Sequence, residues 1–359
     1  MRPRHFKKSI SFVTFLFLAF LLTAAPPEEV KKKYHKAYPA DRETLLSVEN
    51  RFGDVNLVNW DKDSVVIDVV VTINYPSSFK GKDLIEYITV TFSATGNTIS
   101  AVTGIDEHFT EKWYRNDNRK KYRIDYTIHA PAYINFRLLN KYGDLFINEL
   151  SGHAELEIRY GTVRIHKLTR GNRKPLNTLV LAYSTKGSID EANWLMLQMK
   201  YSDLTIGKGT ALAGETKYSK LYIDRFSSVV LESKYDHLQF NTLNNLVLVA
   251  SYGTVKAGMV KKKISLETRY TGVEISKVPA GFSSVDVDNA YGSVKIRIDA
   301  AASYYLKGNT SYCKLNYPET RINRIVKNNS AEISGYIGDD HTTKSRVTVR
   351  SRYGSVTLF

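Results

Sequence analysis

A tyrosine recurs through this chain at nearly fixed intervals, followed by a small residue and then by alternating apolar positions. Most consecutive tyrosines are 17 or 18 residues apart, with wider gaps where loops are inserted. A repeat this short holds too little apolar surface for its own core, so each copy must stack on its neighbours. The series, with a phenylalanine in the first position, is Phe52, Tyr142, Tyr160, Tyr183, Tyr201, Tyr218, Tyr235, Tyr252, Tyr270, Tyr291, Tyr312 and Tyr353.

The residues on both sides of each tyrosine alternate between apolar and polar, which is the period of a β-strand. Around Tyr201, apolar residues occupy every second position from Leu195 to Met199 and again at Leu204 and Ile206. We therefore predict an all-β fold, a single-stranded β-solenoid (β-helix) with rungs of about 17 residues. Each rung is expected to contain a strand, a corner at the tyrosine, a second strand and a return loop.

The direction of the tyrosine side chains has two interpretations. The residue before a tyrosine is often Lys or Arg, as at Lys200, and alternation then places the tyrosine in the core. Rings buried in this way predict that Tyr218→Ala lowers the free energy of unfolding by roughly 3–5 kcal/mol. The alternative is an outward aromatic strip that contacts sugar rings.

The C-terminal end of the series is less regular. The interval from Tyr312 to Tyr353 predicts a degenerate rung near Tyr336, and the chain then ends in a strand at 352–359 without a visible cap. An uncovered sheet edge can pair with another chain. This end is therefore a candidate for end-to-end self-association.

The N-terminus has the composition of a targeting signal. Within residues 1–25, a basic start precedes an apolar stretch and a small-residue exit, which predicts a cleaved secretory signal peptide, with an uncleaved anchor as the alternative. Residues 26–44 are charged and contain proline, and we predict a flexible lead-in there. No cysteine lies near the signal exit, which argues against a lipoprotein. The single cysteine, Cys313, cannot form an internal disulfide.

Regular repeats are expected over residues 45–359, with an inserted flap at 74–120. Alternation predicts strands at 87–92 and 98–102 within the insertion, and a strand at 122–128 where the repeats resume. Insertions in repeat proteins lie outside the stack and can carry specificity, although a simple flap over the first rungs is the alternative. The candidate binding residues, aromatic and basic, are Trp113, Tyr114, Arg115, Arg119, Lys120 and Lys121.

The chain is strongly basic, with a formal net charge of +15. Four of these charges belong to the signal, so the mature chain keeps +11. This excess favours anionic partners such as acidic polysaccharide or lipopolysaccharide through a salt-sensitive field. A basic surface that is simply solvated is the alternative. The basic clusters at 31–33, 115–123 and 261–263 belong to no recognised nucleic-acid motif, and we expect no specific nucleic-acid partner.

Catalytic and metal-binding patterns are weak in this sequence. It contains no His-Glu-x-x-His, no Gly-x-Ser-x-Gly, no phosphate loop and no calcium-binding nonapeptide. Asp339, Asp340 and His341 could ligate a metal, but a polar turn fits the adjacent threonines better. Glycosidases need paired carboxylates, whereas the acidic residues here are scattered. We predict no catalytic, cofactor-binding or metal-binding residues, no cofactor, and a protein that is not an enzyme.

The order of several segments resembles a known family. Residues 51–55 (RFGDV), a long β insertion, 126–131 (YTIHAP) and 140–147 (NKYGDLFI) resemble the secreted adhesin-like β-solenoids of Gram-negative bacteria over about 45–359. The resemblance implies a right-handed solenoid exported to the periplasm or cell surface. The family has no agreed catalytic residues, so none can be carried over.

Three functions are compatible with these features. The first is a non-catalytic exported protein of the cell envelope, an adhesin that binds a glycan or an anionic surface. The second is a structural or regulatory envelope protein that binds another protein through the solenoid edges. The third is a carbohydrate-active enzyme. No transmembrane segment is expected in the mature chain.

Overall fold

The chain is almost entirely β in a computed structural model that describes residues 28–76, 81–113, 121–318 and 322–359. The two helices of these ranges are α1 (Glu107–Trp113) and a 3-10 helix (Lys82–Tyr87), both in the insertion. Across the described ranges, no helix has the length and apolar character to cross a membrane. The predicted signal peptide, 1–25, lies outside the described residues.

The strands are numbered in chain order. Those up to the end of the insertion are β1 (Glu28–Pro39), β2 (Leu45–Arg51), β3 (Val55–Asn59), β4 (Ser64–Tyr75), β5 (Ile88–Thr95), β6 (Thr98–Ile105) and β7 (Lys121–Ala130). The regular middle contains β8 (Asn135–Lys141), β9 (Leu145–Leu150), β10 (Ala154–Arg159), β11 (Val163–Leu168), β12 (Asn177–Ala182), β13 (Gly187–Ala192), β14 (Leu195–Lys200), β15 (Asp203–Lys217), β16 (Lys220–Lys234), β17 (His237–Ser251) and β18 (Thr254–Arg269). The C-terminal part contains β19 (Gly272–Val278), β20 (Ser284–Ala290), β21 (Ser293–Ile298), β22 (Tyr304–Ser311), β23 (Leu315–Asn316), β24 (Asn323–Lys327), β25 (Ser330–Ile337), β26 (Arg346–Arg352) and β27 (Ser355–Leu358).

These strands form one long, unclosed and mostly parallel sheet, and their pairings follow two rows. The first row contains, among others, β2, β8, β10, β12, β14 and the C-terminal halves of β15 to β18. The second row contains β3, β9, β11, β13 and the N-terminal halves of the same four long strands. A tyrosine or Phe52 occupies the corner where the chain passes from the first row to the second.

Alternation within the strands sends every second side chain into the core. In β14, Leu195, Leu197 and Met199 are buried, whereas Met196 and Gln198 between them are exposed. The buried side chains of both rows belong to one hydrophobic cluster. Fully burying a leucine contributes about 1.5–3 kcal/mol relative to leaving it exposed, so the cluster is the main source of stability. Its largest fully buried members are Tyr75, Tyr126, Tyr304, Phe109, Phe136 and Phe240.

The predicted flexible lead-in at 26–44 is wrong, because most of this segment is the strand β1. β1 pairs antiparallel with β4 over its whole length. Three of its side chains, Val30, Tyr34 and Tyr38, pack against the core. The segment is charged because it forms an edge of the sheet, where exposed lysines discourage pairing with another chain.

The strands predicted within and after the insertion are confirmed as β5, β6 and β7. β5 and β6 form an antiparallel hairpin, and β6 pairs with β2 while β7 pairs with β3. Leu84 and Ile85 of the 3-10 helix and Phe109 of α1 are buried in the core. The insertion therefore extends the first row at the N-terminal end of the sheet, and β7, which follows the insertion, extends the second row.

The last strand of the chain does not lie at the end of the sheet. β26 pairs with β20 on one side and β22 on the other, and β27 lies between β21 and β23. The prediction of an uncapped terminal strand at 352–359 is therefore wrong, because this strand finds parallel partners on both sides. The degenerate rung predicted at Tyr336 is also wrong, since Tyr336 belongs to β25, which runs antiparallel to β22 and is covered by β24.

Candidate functional site

A continuous stack of aromatic rings, the tyrosine ladder, follows the corners between the two rows. Neighbouring ring centroids are 4.8–5.1 Å apart and the rings are nearly parallel, with interplanar angles of 2–13°. This spacing follows from the separation of adjacent strands, about 4.8 Å. In spatial order the ladder is Phe52, Tyr142, Tyr160, Tyr183, Tyr201, Tyr218, Tyr235, Tyr252, Tyr270, Tyr291, Tyr353 and Tyr312.

The rings stack as predicted, but their predicted burial in the core is wrong. The ladder tyrosines are 42–59% exposed. Every ladder residue has a φ of 50–61°, in the left-handed region. A left-handed residue shifts the alternation by one position, so Lys200 and Tyr201 both point outward and Ser202 is buried at the corner. The alternative interpretation, an outward aromatic strip, has the correct orientation.

Close contact between neighbouring corners explains why the residue after each tyrosine is small. A Cβ atom on Gly143 would lie 1.8 Å from the carbonyl oxygen of Gly53 in the adjacent corner. Where serine replaces glycine, its hydroxyl bonds the corner backbone. The Ser202 hydroxyl donates to the carbonyl of Lys200 at 2.8 Å and accepts from the N–H of Ser184 at 3.1 Å.

The ladder combines a backbone cost with a stacking gain. A left-handed conformation costs an L-residue about 1–2 kcal/mol, and glycine would adopt it without this cost. An offset aromatic pair contributes about 0.5–1.5 kcal/mol, and each internal ring belongs to two pairs. Stacking therefore offsets the corner strain, and the ladder keeps a strip of aromatic side chains in contact with solvent.

The exposed orientation changes the stability expected of ladder variants. Tyr218→Ala removes two stacked contacts and retains the left-handed corner, so we expect it to lower the free energy of unfolding by about 1–3 kcal/mol, less than the loss of a buried aromatic. Tyr218→Phe keeps the ring and is expected to unfold like the parent protein. Urea denaturation measures both, and a loss above about 4 kcal/mol for Tyr218→Ala would contradict the exposed assignment.

Stacking determines which chemical groups the ladder presents. Neighbouring rings cover both faces of each internal member, so ring edges and phenolic hydroxyls face the solvent. In the described part of the chain, no ladder hydroxyl forms a hydrogen bond with protein. A phenolic hydroxyl can both donate and accept. The internal ladder can therefore hydrogen-bond a ligand but cannot stack on one.

A row of basic side chains, the basic row, borders the ladder on the first-row side. Lys200, Lys217 and Lys234 are successive Cα partners on β14, β15 and β16, and all three are exposed. The Lys217 amine lies 5.5 Å from the ring centre of Tyr218, so it lies beside the ladder. Uncharged residues interrupt the row at Ala182, Ser251 and Ala290. In spatial order its basic members are Arg51, Lys141, Arg159, Lys200, Lys217, Lys234, Arg269 and Arg352.

The other border of the ladder has mixed charge. Lys186 and Lys220 are exposed there, and the Lys220 amine lies 3.9 Å from a carboxylate oxygen of Asp203. Asp54 accepts the backbone N–H of Asp144 at 2.8 Å, and Asp144 in turn accepts an N–H from the next corner. The eight side chains of the basic row outnumber these three carboxylates, so the ladder with its two borders, here named the tyrosine edge, is positive overall.

A shallow groove of about 610 Å³ lies beside the basic row. The short side chains of Val180 and Ala182 line it, together with Arg159, Lys200 and Glu215. Sequence reasoning did not select this place. The groove contains Lys200, Lys217 and Lys234. Their 17-residue spacing was a signal in the sequence, because it places them side by side once the strands are parallel and in register.

The insertion does not present its candidate binding residues as expected. Trp113 is buried, and its ring packs on Phe109 at 5.1 Å and edge-on against Tyr122 at 5.4 Å. A ligand cannot reach a ring placed in this way, so Trp113 as a binding residue is a wrong prediction. Lys121 is exposed at the start of β7. The remaining candidates lie outside the described residues: Tyr114, Arg115, Arg119 and Lys120.

The acidic segment near the C-terminus forms a polar turn. The backbone N–H and hydroxyl of Thr342 donate to Asp340 at 2.8 and 2.7 Å, and the hydroxyl contact is the main cause that lowers the pKa of Asp340. The His341 ring stacks on Tyr336. In the four ranges that the structure describes, no group of three or more His, Cys, Asp or Glu side chains could hold a metal ion.

No family model and no curated protein sequence match the chain. Three solved structures are similar to it at a low level. A "putative cell adhesion protein" from Clostridium sporogenes is 8% identical with a TM-score of 0.16, over 91% of this chain and 99% of that one. A "putative adhesin" from Bacteroides fragilis is 11% identical with a TM-score of 0.23, over 91% and 97%. A "putative lipid binding protein" from Parabacteroides distasonis is 12% identical with a TM-score of 0.28, over 93% and 97%. Likeness at these TM-scores carries no information on function.

Proposed function

We propose that this chain is an exported, non-catalytic binding protein of the Gram-negative cell envelope, an adhesin that binds an anionic glycan or anionic surface. We also propose that the parallel sheet is a β-solenoid with rungs of about 17 residues. Support for the solenoid is the register of β15 to β18, where paired residues such as Lys220 and His237 are one repeat apart in both rows.

The observation that carries the binding proposal is the tyrosine edge. Its rings are exposed to solvent, and the corners that hold them have strained backbone. Strained backbone concentrates at functional sites. A basic row runs beside free hydroxyls, which combines charge attraction with hydrogen bonding. This pair of interactions suits a ligand that carries both anionic groups and hydroxyls, as acidic glycans do.

The arrangement of the carboxylates favours binding over catalysis. Hydrolysis of a glycoside needs two carboxylates on either side of the scissile bond. At the tyrosine edge, Asp54 and Asp144 accept backbone hydrogen bonds and Asp203 forms an ion pair. Asp54 and Asp144 occupy adjacent corners, but Asp54 also pairs with Arg123 at 2.8 Å, and Asp203 lies three corners further along the ladder. All three carboxylates are therefore held by protein groups.

Glycan binding by the mature chain, residues 26–359, tests this function. The panel contains acidic polysaccharides, neutral polysaccharides and lipopolysaccharide, each at low and high salt. We expect saturable binding of acidic members that weakens with salt, because exposed charges are screened. Binding to no member of the panel, or to neutral and acidic members alike, would refute the proposal.

A second candidate is an envelope protein that binds another protein. The edge strand β24 pairs only with β25 among the described strands. Its Ile325 and Val326 are 57% and 58% exposed, and an exposed apolar edge strand is a template for strand addition. A negative glycan panel would favour this candidate.

A further inference from the structure

We infer that a linear acidic polysaccharide binds lengthwise along the tyrosine edge, with Lys200, Lys217 and Lys234 as its main anion contacts. This inference rests on the proposed function and assigns the site and the ligand class. The geometry that carries it is a line of three in-register lysines beside a ladder of unpartnered hydroxyls.

The three lysines have no carboxylate partner among the residues that the structure describes. Elsewhere on the sheet, neighbouring strands pair their charges, as between Lys208 and Glu191 at 3.0 Å. Lys200, Lys217 and Lys234 form no ion pair in the described structure, although Glu215 lies on the same strand as Lys217. Like charges directly opposite each other on adjacent strands are destabilising. This repulsion occurs between Lys200 and Lys217 and again between Lys217 and Lys234. An external anion bound along the line would relieve it.

The ladder makes the site long and regular. Its eleven ring-to-ring spacings add up to about 54 Å, and one hydroxyl occurs at each tyrosine step. A compact ligand would use only a small part of this strip. A linear polymer uses many steps at once, and weak contacts at each step then add up through multivalency.

Stacking selects polysaccharide over single-stranded nucleic acid. Proteins that bind single strands place bases on free aromatic faces. At Tyr201, Tyr218 and Tyr235 both ring faces are covered by neighbours about 5 Å away. The exposed hydroxyls instead match the many hydroxyls of a sugar chain. Glu215 and Glu232 line the same groove as the lysines and add negative charge, which disfavours a polymer with very dense charge.

The test compares two triple variants that lose the same charge. Lys200→Gln/Lys217→Gln/Lys234→Gln removes the central line. Lys261→Gln/Lys262→Gln/Lys263→Gln removes three exposed lysines near the middle of β18, far along the chain from both of its tyrosine corners. The probes are polygalacturonate, neutral dextran and a single-stranded thymidine 30-mer. Urea denaturation verifies that both variants fold.

The central variant is expected to bind polygalacturonate about tenfold more weakly, because it loses three exposed ionic contacts with the ligand. Its affinity should also depend less on salt, and the Lys261 variant should bind like the parent. An equal loss of polygalacturonate affinity in both variants, or no loss of affinity in the central variant, overturns the proposed site. The proposed function is unaffected by either result. Tighter binding of the thymidine 30-mer than of polygalacturonate overturns the ligand class. A parent protein that binds no glycan refutes the proposed function itself.

A companion variant tests the hydroxyls without disturbing the stack. Tyr201→Phe/Tyr218→Phe/Tyr235→Phe keeps all rings and removes three hydroxyls. We expect polygalacturonate binding to weaken about tenfold or more, because three hydrogen bonds to the ligand are lost. Unchanged affinity would show that these hydroxyls do not contribute to polysaccharide binding.

Discussion

Gly143→Ala should lower the free energy of unfolding by about 3 kcal/mol, the upper range for overpacking. The new Cβ would lie 1.8 Å from the carbonyl oxygen of Gly53 and 2.4 Å from its carbonyl carbon. These atoms are backbone held in a parallel sheet, so they cannot rotate away as a side chain would. Urea denaturation followed by circular dichroism measures the loss.

A glycine beside another corner of the ladder supplies the control. Gly272 lies two residues after Tyr270, and a Cβ there would meet no atom within 4 Å. Gly272→Ala should therefore change stability by less than about 0.5 kcal/mol. Similar losses for Gly143→Ala and Gly272→Ala would show that the corners are not in close backbone contact.

Asp236→Ala should lower the free energy of unfolding by about 3 kcal/mol, because it leaves buried donors without an acceptor. Asp236 is 1% exposed and replaces the glycine or serine of other corners. Its carboxylate accepts the hydroxyls of Thr216 and Ser233 at 2.7 Å, and the backbone N–H groups of Ser219 at 2.7 Å and Lys234 at 3.1 Å.

Two further variants separate this network from a general effect of charge. Asp236→Ser introduces the residue found at neighbouring corners and should recover part of the loss, since a hydroxyl can accept one of the bonds. Asp288→Ala removes an exposed carboxylate on β20 and should have little effect. A loss for Asp236→Ala no larger than that for Asp288→Ala would contradict the network.

Much of the architecture could be predicted from the sequence because alternation is local. The inward side chains of β14 follow directly from Leu195, Leu197 and Met199. The same is true of β5 to β7. The stacking of the ladder could also be predicted, since residues one repeat apart must lie side by side once strands are parallel.

The direction of the tyrosines was mispredicted because the shift in alternation was assigned to the wrong residue. Lys200 points outward and Leu204 points into the core, although strict alternation would put residues four apart on the same face. One residue between them must therefore break the alternation. An inward Tyr201, as predicted, requires the break to come after the tyrosine, whereas the structure places it at Tyr201 itself, in a left-handed conformation. Bulky residues rarely adopt this conformation alone, and stacking along the ladder is what allows it here.

Long-range strand order could not be predicted from spacing. The interval before Tyr353 suggested one more rung in chain order, but β26 and β27 insert between strands that precede them. The prediction that Trp113 is an accessible binding residue of the insertion failed for a different reason. Phe109 and Trp113 are four residues apart on α1 and so share one helical face, which directs both rings into the core.

The most direct test of the tyrosine edge as the binding surface is tyrosine acetylation with N-acetylimidazole, mapped by peptide mass spectrometry with and without saturating polygalacturonate. Tyr201, Tyr218 and Tyr235 should react in the free protein and be protected in the complex, whereas the buried Tyr126 and Tyr304 should remain unreactive in both. Ladder tyrosines that react equally with and without polygalacturonate would contradict the account.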